Sequence, residues 1–385
     1  EMLLALGGDS SKFSQLRPVD FYHINVSEYV RRPLRFAYEL ATFVPGLGYD
    51  LLLSIPQFPR EASASIRRFL RKRSYSNFED MLQELYVLLS PRREVPSLAA
   101  AFPAGIFDNS ALERYIRENL ERNGMPNDFS TLYGERKKEV YITATNLDTA
   151  ERVIFGTFER TDATISEAIQ ASTALPGFYR PARIGGIDYV DGGVRSTANI
   201  DVAIDHGADL IICYNPFRPF VNRVEIEEDS SNGRTSYRVT RGRRLADRGA
   251  RTVLNQVLRT MLHSRLEYGL RRYAEDERFQ GDIILIEPQE TDYRFFDLNP
   301  LAFWARAESA RHGYLSVRQS IENCYDEISA VLGAYGLEMA LPDEQPGVEN
   351  FSRARSARGA KAAESHEKTA ASHEGERKRS LRLIR

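Results

Sequence analysis

Asp191 is the residue of this sequence best suited to do chemistry, because it ends a short predicted strand, residues 187–190, and is followed by Gly192 and Gly193. Glycine tolerates positive φ and carries no side chain, so the backbone can turn sharply and a substrate or a second catalytic group can approach the carboxylate. Asp-Gly is also a common hairpin turn. The triplet alone therefore leaves two interpretations open, a catalytic acid and a plain turn.

The residues before Asp191 predict a helix and a hairpin that would position it. Thr164 to Glu167 has the spacing of a capping box, which predicts a helix over residues 165–171. Pro176 and Gly177 then end the helix and permit a turn. Gly185-Gly186 predicts the turn of a hairpin whose second strand ends at Asp191. The aspartate is therefore expected at the tip of a strand.

This order of elements resembles the patatin-like phospholipases: a helix ending in Ala-Ser-Thr-Ala-Leu-Pro at residues 171–176, a proline-containing strand, and a strand ending in Asp-Gly-Gly. The resemblance extends to a central strand at residues 140–147 with a hairpin after it, and to a helix and strand over residues 201–212. It implies an α/β fold of three layers with a central, mostly parallel sheet that lacks its first strands in this chain. It also implies a lipid acyl hydrolase that cleaves carboxylic esters of phospholipids or other acyl lipids with a Ser-Asp dyad, in which Asp191 is the proton acceptor, without cofactor or metal.

The serine of such a dyad has no recognisable motif in this sequence. Patatin-like enzymes carry it in a G-x-S-x-G elbow and hold the oxyanion on a glycine-rich loop, and neither pattern occurs in the 385 residues. The nearest match, Gly8 to Lys12, has lysine in place of the second glycine and is predicted to be an ordinary loop. Because the first residues, beginning at Glu1, resemble the helix that follows the elbow, we expect a truncated sequence that is inactive alone. The alternatives are a processed fragment and a non-catalytic lipid-binding or scaffold protein that retains the fold.

The segment after Asp191 departs from the pattern of these enzymes. They commonly have an asparagine and then a proline, whereas this chain reads Thr197-Ala198-Asn199-Ile200. We expect the loop to take a different course, which bears on substrate preference rather than on the role of Asp191.

Histidine could supply a base in a Ser-His-Asp triad, and four of the six histidines lie outside the charged tail: His23, His206, His263 and His312. None has a supporting motif. His206 precedes Gly207 at a predicted helix end, where an imidazole meets unpaired carbonyls favourably. The dyad implied by the resemblance requires no histidine.

Composition excludes several classes of function. A formal net charge of −2 gives no overall field that would attract nucleic acid. Cys213 and Cys324 stand far apart without histidine or cysteine companions, so neither a disulfide framework nor a zinc site is predicted, and both are expected to be buried thiols. The sequence has no apolar run of about eighteen residues. We expect a cytoplasmic protein, with peripheral contact to a membrane as a further option.

One patatin-like domain is predicted over residues 1–335, and a disordered charged tail over residues 341–385. Residues 19–89 are a candidate lid or lipid-facing insert. A helix-like apolar face over residues 29–43, flanked by Arg31, Arg32 and Arg35, is predicted to break at Pro45, and residues 66–73 add a cationic run. Such a stripe also suits packing on the protein's own core, and the cations also suit a solvated helix.

The remaining elements are predicted scaffold. An amphipathic helix capped by Asn109 or Ser110 should run through residue 120, and a polar solvent loop should occupy residues 222–245. A buried strand should occupy residues 283–288, and terminal helices should occupy residues 307–332. A long helix is predicted over residues 252–273. Its expected inner face consists of Val253, Leu254, Val257, Leu258, Met261, Leu262 and Leu266.

Overall fold

The structure, a computed structural model, describes residues 17–54, 60–89, 97–231, 234–276, 279–299 and 301–339. These residues form a mixed α/β protein, as predicted. They cluster into two compact units. The larger unit comprises residues 17–20, 110–173 and 182–339, and the smaller unit comprises residues 21–109 and 174–181. The predictions for the first residues, for Gly8 to Lys12 and for the tail lie outside the described residues.

The larger unit contains most of the strands and the candidate acid. Its strands are β3 (Tyr141–Asn146), β4 (Arg152–Gly156), β6 (Ala182–Ile184), β7 (Ile187–Asp191), β8 (Leu210–Tyr214), β9 (Glu225–Ser231), β10 (Arg234–Arg241) and β11 (Asp282–Ile286). Its helices are α5 (Ser110–Arg122), α6 (Phe129–Arg136), α7 (Ile165–Ser172), α8 (Ile200–Asp205), α9 (Ala250–Glu275), α10 (Tyr293–Phe296), α11 (Arg306–Asn323) and α12 (Tyr325–Ala334).

The sheets differ from the predicted central, mostly parallel sheet. Among the described residues, the largest sheet has the order β4-β3-β7-β6 and is antiparallel throughout. Short connections explain the β6-β7 and β3-β4 pairs: the two-residue turn at Gly185-Gly186, both at positive φ, and the five residues 147–151 join strands that must run antiparallel. Strands β8 and β11 pair in parallel because the helix α9 lies between them in the chain. The three-layer arrangement stays a prediction.

Helix α7 forms as its sequence predicts. Both bonds of the capping box are present: the Thr164 side chain accepts from the backbone of Glu167, and Glu167 Oε2 accepts from Thr164 N at 2.8 Å. Its buried alanines, Ala168 and Ala171, let the helix lie close against β3. The helix therefore fixes the strand beside Asp191.

Helix α9 has the predicted extent, but the prediction for its inner face is wrong in the first half. Leu262 and Leu266 are buried as expected, and Leu266 packs in the core that contains β8 and β11, whereas Leu254 is 67% exposed. The buried positions in this half are Thr252 and Arg259, and Arg259 is only 8% exposed. Its guanidinium donates to the carbonyls of Pro216 and Arg218, and these bonds allow a charged residue to replace an apolar one.

Residues 222–245 are not the predicted irregular loop, since they contain the antiparallel hairpin of β9 and β10. Cross-strand pairs explain it: Glu227 faces Arg238, and Ile226 faces Val239. The terminal helices α11 and α12 are confirmed and divide at Cys324. Helix α5 begins at Ser110 as predicted.

The smaller unit consists of helices and a three-stranded sheet of order β1-β2-β5. Its elements are β1 (His23–Ile24), α2 (Val26–Ser54), α3 (Arg60–Arg71), α4 (Tyr75–Leu89), β2 (Gly105–Asp108) and β5 (Gly177–Tyr179); the short helix α1 (Pro18–Phe21) precedes them. The predicted break at Pro45 is wrong, because α2 runs through Pro33 and Pro45. Of the helices that the structure describes, none is both long and apolar enough to cross a membrane.

Candidate active site around Asp191

Asp191 is held at the end of β7 by the neighbouring strand β3. Ala144 is its register partner and is fully buried, and Thr145 Oγ1 donates to the backbone carbonyl of Asp191 at 3.2 Å. These contacts fix the backbone of the acid on a packed sheet. The predicted position at a strand tip is therefore confirmed, although its catalytic role stays a prediction.

The two glycines after Asp191 matter for space rather than for positive φ, which neither adopts. A Cβ on Gly192 would overlap the Oγ1 atom of Thr143 and would lie 2.6 Å from the Thr143 carbonyl oxygen. A Cβ on Gly193 would lie 3.1 Å from Asp191 Oδ1. Position 192 thus needs glycine because β3 approaches it closely, whereas a side chain at position 193 would press on the carboxylate, which folds back over the turn.

The Asp191 carboxylate has one oxygen fixed and one free. Oδ1 accepts a hydrogen bond from Gly193 N at 2.7 Å, and Oδ2 accepts none from the residues that the structure describes. Burial raises the pKa of Asp191 above its ordinary value, and the bond from the Gly193 amide opposes that rise. A half-buried carboxylate with raised proton affinity and an open oxygen has the properties of a general base.

The segment after the turn is held by polar side chains. Asn199 lies in the left-handed region, with φ 47° and ψ 41°, directly after Ala198 at φ 64°. Asn199 Nδ2 donates to Thr143 Oγ1 at 2.8 Å. Arg152 Nη1 donates to Asn199 Oδ1 at 3.2 Å and to Asp201 Oδ1 at 2.9 Å. The loop that departs from the patatin-like pattern is thus tied to β3 and β4.

Sequence reasoning did not identify Thr143, Thr145, Arg152 and Asn199 as site residues. The two threonines carried a usable signal, since residues two apart on a strand share a face and residues 140–147 were predicted to form a central strand. No signal in the sequence identified Arg152 or Asn199 as site residues. Their pairing joins residues 47 positions apart, and only the fold brings them together.

The histidines proposed as alternative bases do not contact Asp191. His23 is exposed on β1, in the smaller unit. His206 ends α8 as predicted, stacks on the Tyr141 ring at 4.1 Å between centroids, and shares a hydrogen bond with the Tyr141 hydroxyl at 3.0 Å. His206 is therefore a structural residue at a helix terminus.

His263 and His312 belong to other polar clusters. His263 Nε2 lies 3.9 Å from Glu287 Oε1, at the carboxyl ends of β8 and β11, where Glu287 also lines a cavity of about 330 Å³. His312 Nε2 lies 2.9 Å from both Asp292 oxygens, and Ser316 Oγ donates to Asp292 Oδ2 at 3.0 Å. That cluster holds a serine, a histidine and an aspartate, but both partners bind the carboxylate, so it lacks the serine-to-histidine bond of a triad.

Neither Cys213 nor Cys324 forms a disulfide within the part of the chain that the structure describes. Cys213 is buried as predicted, and burial beside Glu287 raises its pKa to about 11. Cys324 is only partly buried, so its prediction as a buried thiol is wrong; it lies at the junction of α11 and α12.

Within the described ranges, no group of three or more histidine, cysteine, aspartate or glutamate side chains is arranged to hold a metal ion.

A family model described as Patatin-like phospholipase matches residues 51–204. The matched segment contains helix α7, the four-stranded sheet and the Asp191-Gly192-Gly193 turn with the loop after it. The resemblance first found in the sequence is confirmed by this match.

Proposed function

We propose, from the match of residues 51–204 to the patatin-like phospholipase family, whose activity is lipid acyl hydrolysis in general, that Asp191 is the general base of a serine esterase acting on acyl lipids. The observation that carries the proposal is the state of the Asp191 carboxylate. Oδ1 is fixed by the Gly193 amide, Oδ2 is open, and burial raises the pKa.

The reaction would proceed through an acyl-enzyme. Asp191 Oδ2 accepts the proton of a serine hydroxyl as that oxygen attacks the ester carbonyl, and the proton then passes to the departing alcohol. In the second half, Asp191 accepts a proton from water as the water attacks the acyl-serine, and the fatty acid leaves as the serine regains a proton. A free aspartate, with a pKa of about 3.9, is a weak base for a hydroxyl, so burial of the carboxylate contributes directly to the chemistry. Because the 385 residues contain no G-x-S-x-G elbow, we assign the nucleophile to no residue of this sequence.

Asp191→Asn tests the base directly. The protein as its gene encodes it would be assayed with a soluble short-chain ester and with phospholipid, and the variant should lose at least about 100-fold in kcat because an amide cannot accept the serine proton. Asp188→Asn is the matched control: Asp188 lies on the same strand but pairs with Arg183 at the surface, at 2.7 Å. Unchanged turnover in Asp191→Asn would refute the assignment.

A non-catalytic lipid-binding or scaffold protein is the competing function, and the absence of the elbow from this sequence is the observation that favours it. A fluorophosphonate probe separates the two, because it reacts covalently with an activated serine. Labelling that disappears in Asp191→Asn supports the esterase. Binding to lipid vesicles with neither labelling nor hydrolysis supports the scaffold.

We further propose that helix α2 contacts the surface of an anionic membrane. Leu34 and Tyr38 on this helix are 65% and 71% exposed, and Arg31 and Arg35 lie beside them. An apolar stripe flanked by arginine suits insertion at the headgroup level of a bilayer. Leu34→Ser should weaken co-sedimentation with vesicles that contain anionic phospholipid, and it should leave hydrolysis of a soluble ester unchanged. Equal binding by the variant and the wild type would refute this contact.

A further inference from the structure

Arg152 contacts several residues of the segment after Asp191. It lies on β4, and its guanidinium meets the Asp201 carboxylate twice, with Nη1 to Oδ1 at 2.9 Å and Nη2 to Oδ2 at 2.6 Å. The same Nη1 also donates to Asn199 Oδ1 at 3.2 Å. A bidentate arginine–carboxylate pair fixes direction as well as distance, so Arg152 anchors the start of α8 and the residue before it.

Asn199 connects the Arg152 contacts to β3. Its Oδ1 accepts from Arg152, while its Nδ2 donates to Thr143 Oγ1 at 2.8 Å and to the Ser196 carbonyl at 3.3 Å. Asn199 and Ala198 both have positive φ, a conformation that L-residues rarely adopt. A strained backbone of this kind persists only when the surrounding contacts determine it, and the side-chain bonds of Asn199 are such contacts.

Thr143 completes the connection to the acid. Its hydroxyl and its carbonyl occupy the space that a Cβ on Gly192 would need, so Thr143 lies directly against the turn. Gly193, the next residue, donates its amide to Asp191 Oδ1. A displacement of Thr143 would therefore reach the turn that orients the carboxylate.

We propose that Arg152, Asn199 and Thr143 are positioning residues that hold the Asp191-Gly192-Gly193 turn in its catalytic geometry, with Oδ1 on the Gly193 amide and Oδ2 open. This inference rests on the proposed role of Asp191 as the base. It also gives a physical role to the segment in which this chain departs from the patatin-like pattern. Asn199 supplies the bonds that fix the loop after the acid.

Two pairs of substitutions in the protein as its gene encodes it test the connection. Thr143→Val removes the hydroxyl while keeping the shape, and Thr143→Ser keeps the hydroxyl. Asn199→Gly removes the side chain while still permitting positive φ, and Ala198→Gly is its matched control at the neighbouring position of positive φ. Thr143→Val and Asn199→Gly should each lower kcat about tenfold and leave KM within about twofold, because they misplace the base without removing substrate contacts. Thr143→Ser and Ala198→Gly should retain kcat within about twofold.

A second readout does not depend on activity. Amide hydrogen exchange at Gly193 reports its bond to Asp191, and it should accelerate about tenfold in Thr143→Val and Asn199→Gly, while the amides of β8 and β11 keep their protection. If Gly193 exchange and kcat stay at wild-type values in both variants, the positioning role is refuted. If Gly193 exchange accelerates but hydrolysis is insensitive to these variants and to Asp191→Asn alike, the connection stands and the assignment of Asp191 as the base fails. Equal losses of kcat in Thr143→Ser and Thr143→Val would refute the positioning role of the Thr143 hydroxyl.

Discussion

Gly192→Ala is the sharpest test of how the acid is held, because the structure fixes how much must move. The new Cβ would lie 2.6 Å from the Thr143 carbonyl oxygen, whereas ordinary contacts begin at 3.4 Å, so closing the gap requires about 0.8 Å of movement. The obstacle is the backbone of β3, which pairs with β4 and β7 on its two sides and cannot yield alone. Overpacking of this kind costs about 1 to 3 kcal/mol. We expect the midpoint of thermal unfolding to fall by roughly 2 to 4 °C for each kcal/mol.

Gly134→Ala is the matched control. Gly134 lies inside helix α6, and a Cβ there meets nothing within 4 Å. Alanine should stabilise the helix by up to about 1 kcal/mol. Gly193→Ala adds a third case, because its Cβ would meet the Asp191 side chain, with Oδ1 at 3.1 Å. This substitution should lower kcat more than stability. A Gly192→Ala variant that melts at or above the wild-type temperature, measured by circular dichroism, would refute the argument that β3 closes on the turn.

Three further predictions concern side chains. Burial raises the pKa of Asp191 in the folded state, so folding favours the protonated carboxyl group and stability falls as the pH rises through that pKa. Asp191→Asn should therefore unfold at a higher temperature than the wild type at pH 7. The difference should vanish below pH about 3.9, where the carboxyl group is protonated in both states. His206→Gln should keep kcat within about twofold, since the imidazole contacts Tyr141 and not the acid, while its melting temperature falls. Arg259→Met should lower the free energy of unfolding, measured with urea, by at least about 2 kcal/mol, because the carbonyls of Pro216 and Arg218 lose their donor; equal stability would contradict that accounting.

Local signals in the sequence predicted the elements that carry the acid. The capping box at Thr164 and Glu167 predicts helix α7 because both of its bonds form within one turn. Gly185-Gly186 predicts the hairpin before Asp191 because the turn needs positive φ at both positions. Each of these features is decided by residues within a few positions of one another, so a single sequence contains the information.

Contacts between residues that are distant in the chain could not be predicted from the sequence. The inner face of α9 was misassigned because Arg259 is buried, and its burial depends on carbonyls more than forty residues earlier in the chain. The sequence of residues 225–241 predicts a loop rather than a hairpin because its strands are polar and are stabilised by pairs across the hairpin rather than by a core. Arg152 was passed over for the same reason, since its partners Asn199 and Asp201 reach it only in the folded sheet.

The close approach of β3 links the geometry of Asp191 to its proton affinity. Because position 192 has no Cβ, the Thr143 backbone lies directly against the turn that carries the carboxylate, and burial of that carboxylate raises its pKa. The Gly193 amide acts in the opposite direction, since it stabilises the ionised form while it fixes Oδ1. A general base at neutral pH needs both effects, because it must be ionised before the reaction and must hold a proton during it. Any substitution that moves Thr143 should therefore change the position of the base and its pKa together, which is why we expect kcat and the Gly193 amide to respond in parallel.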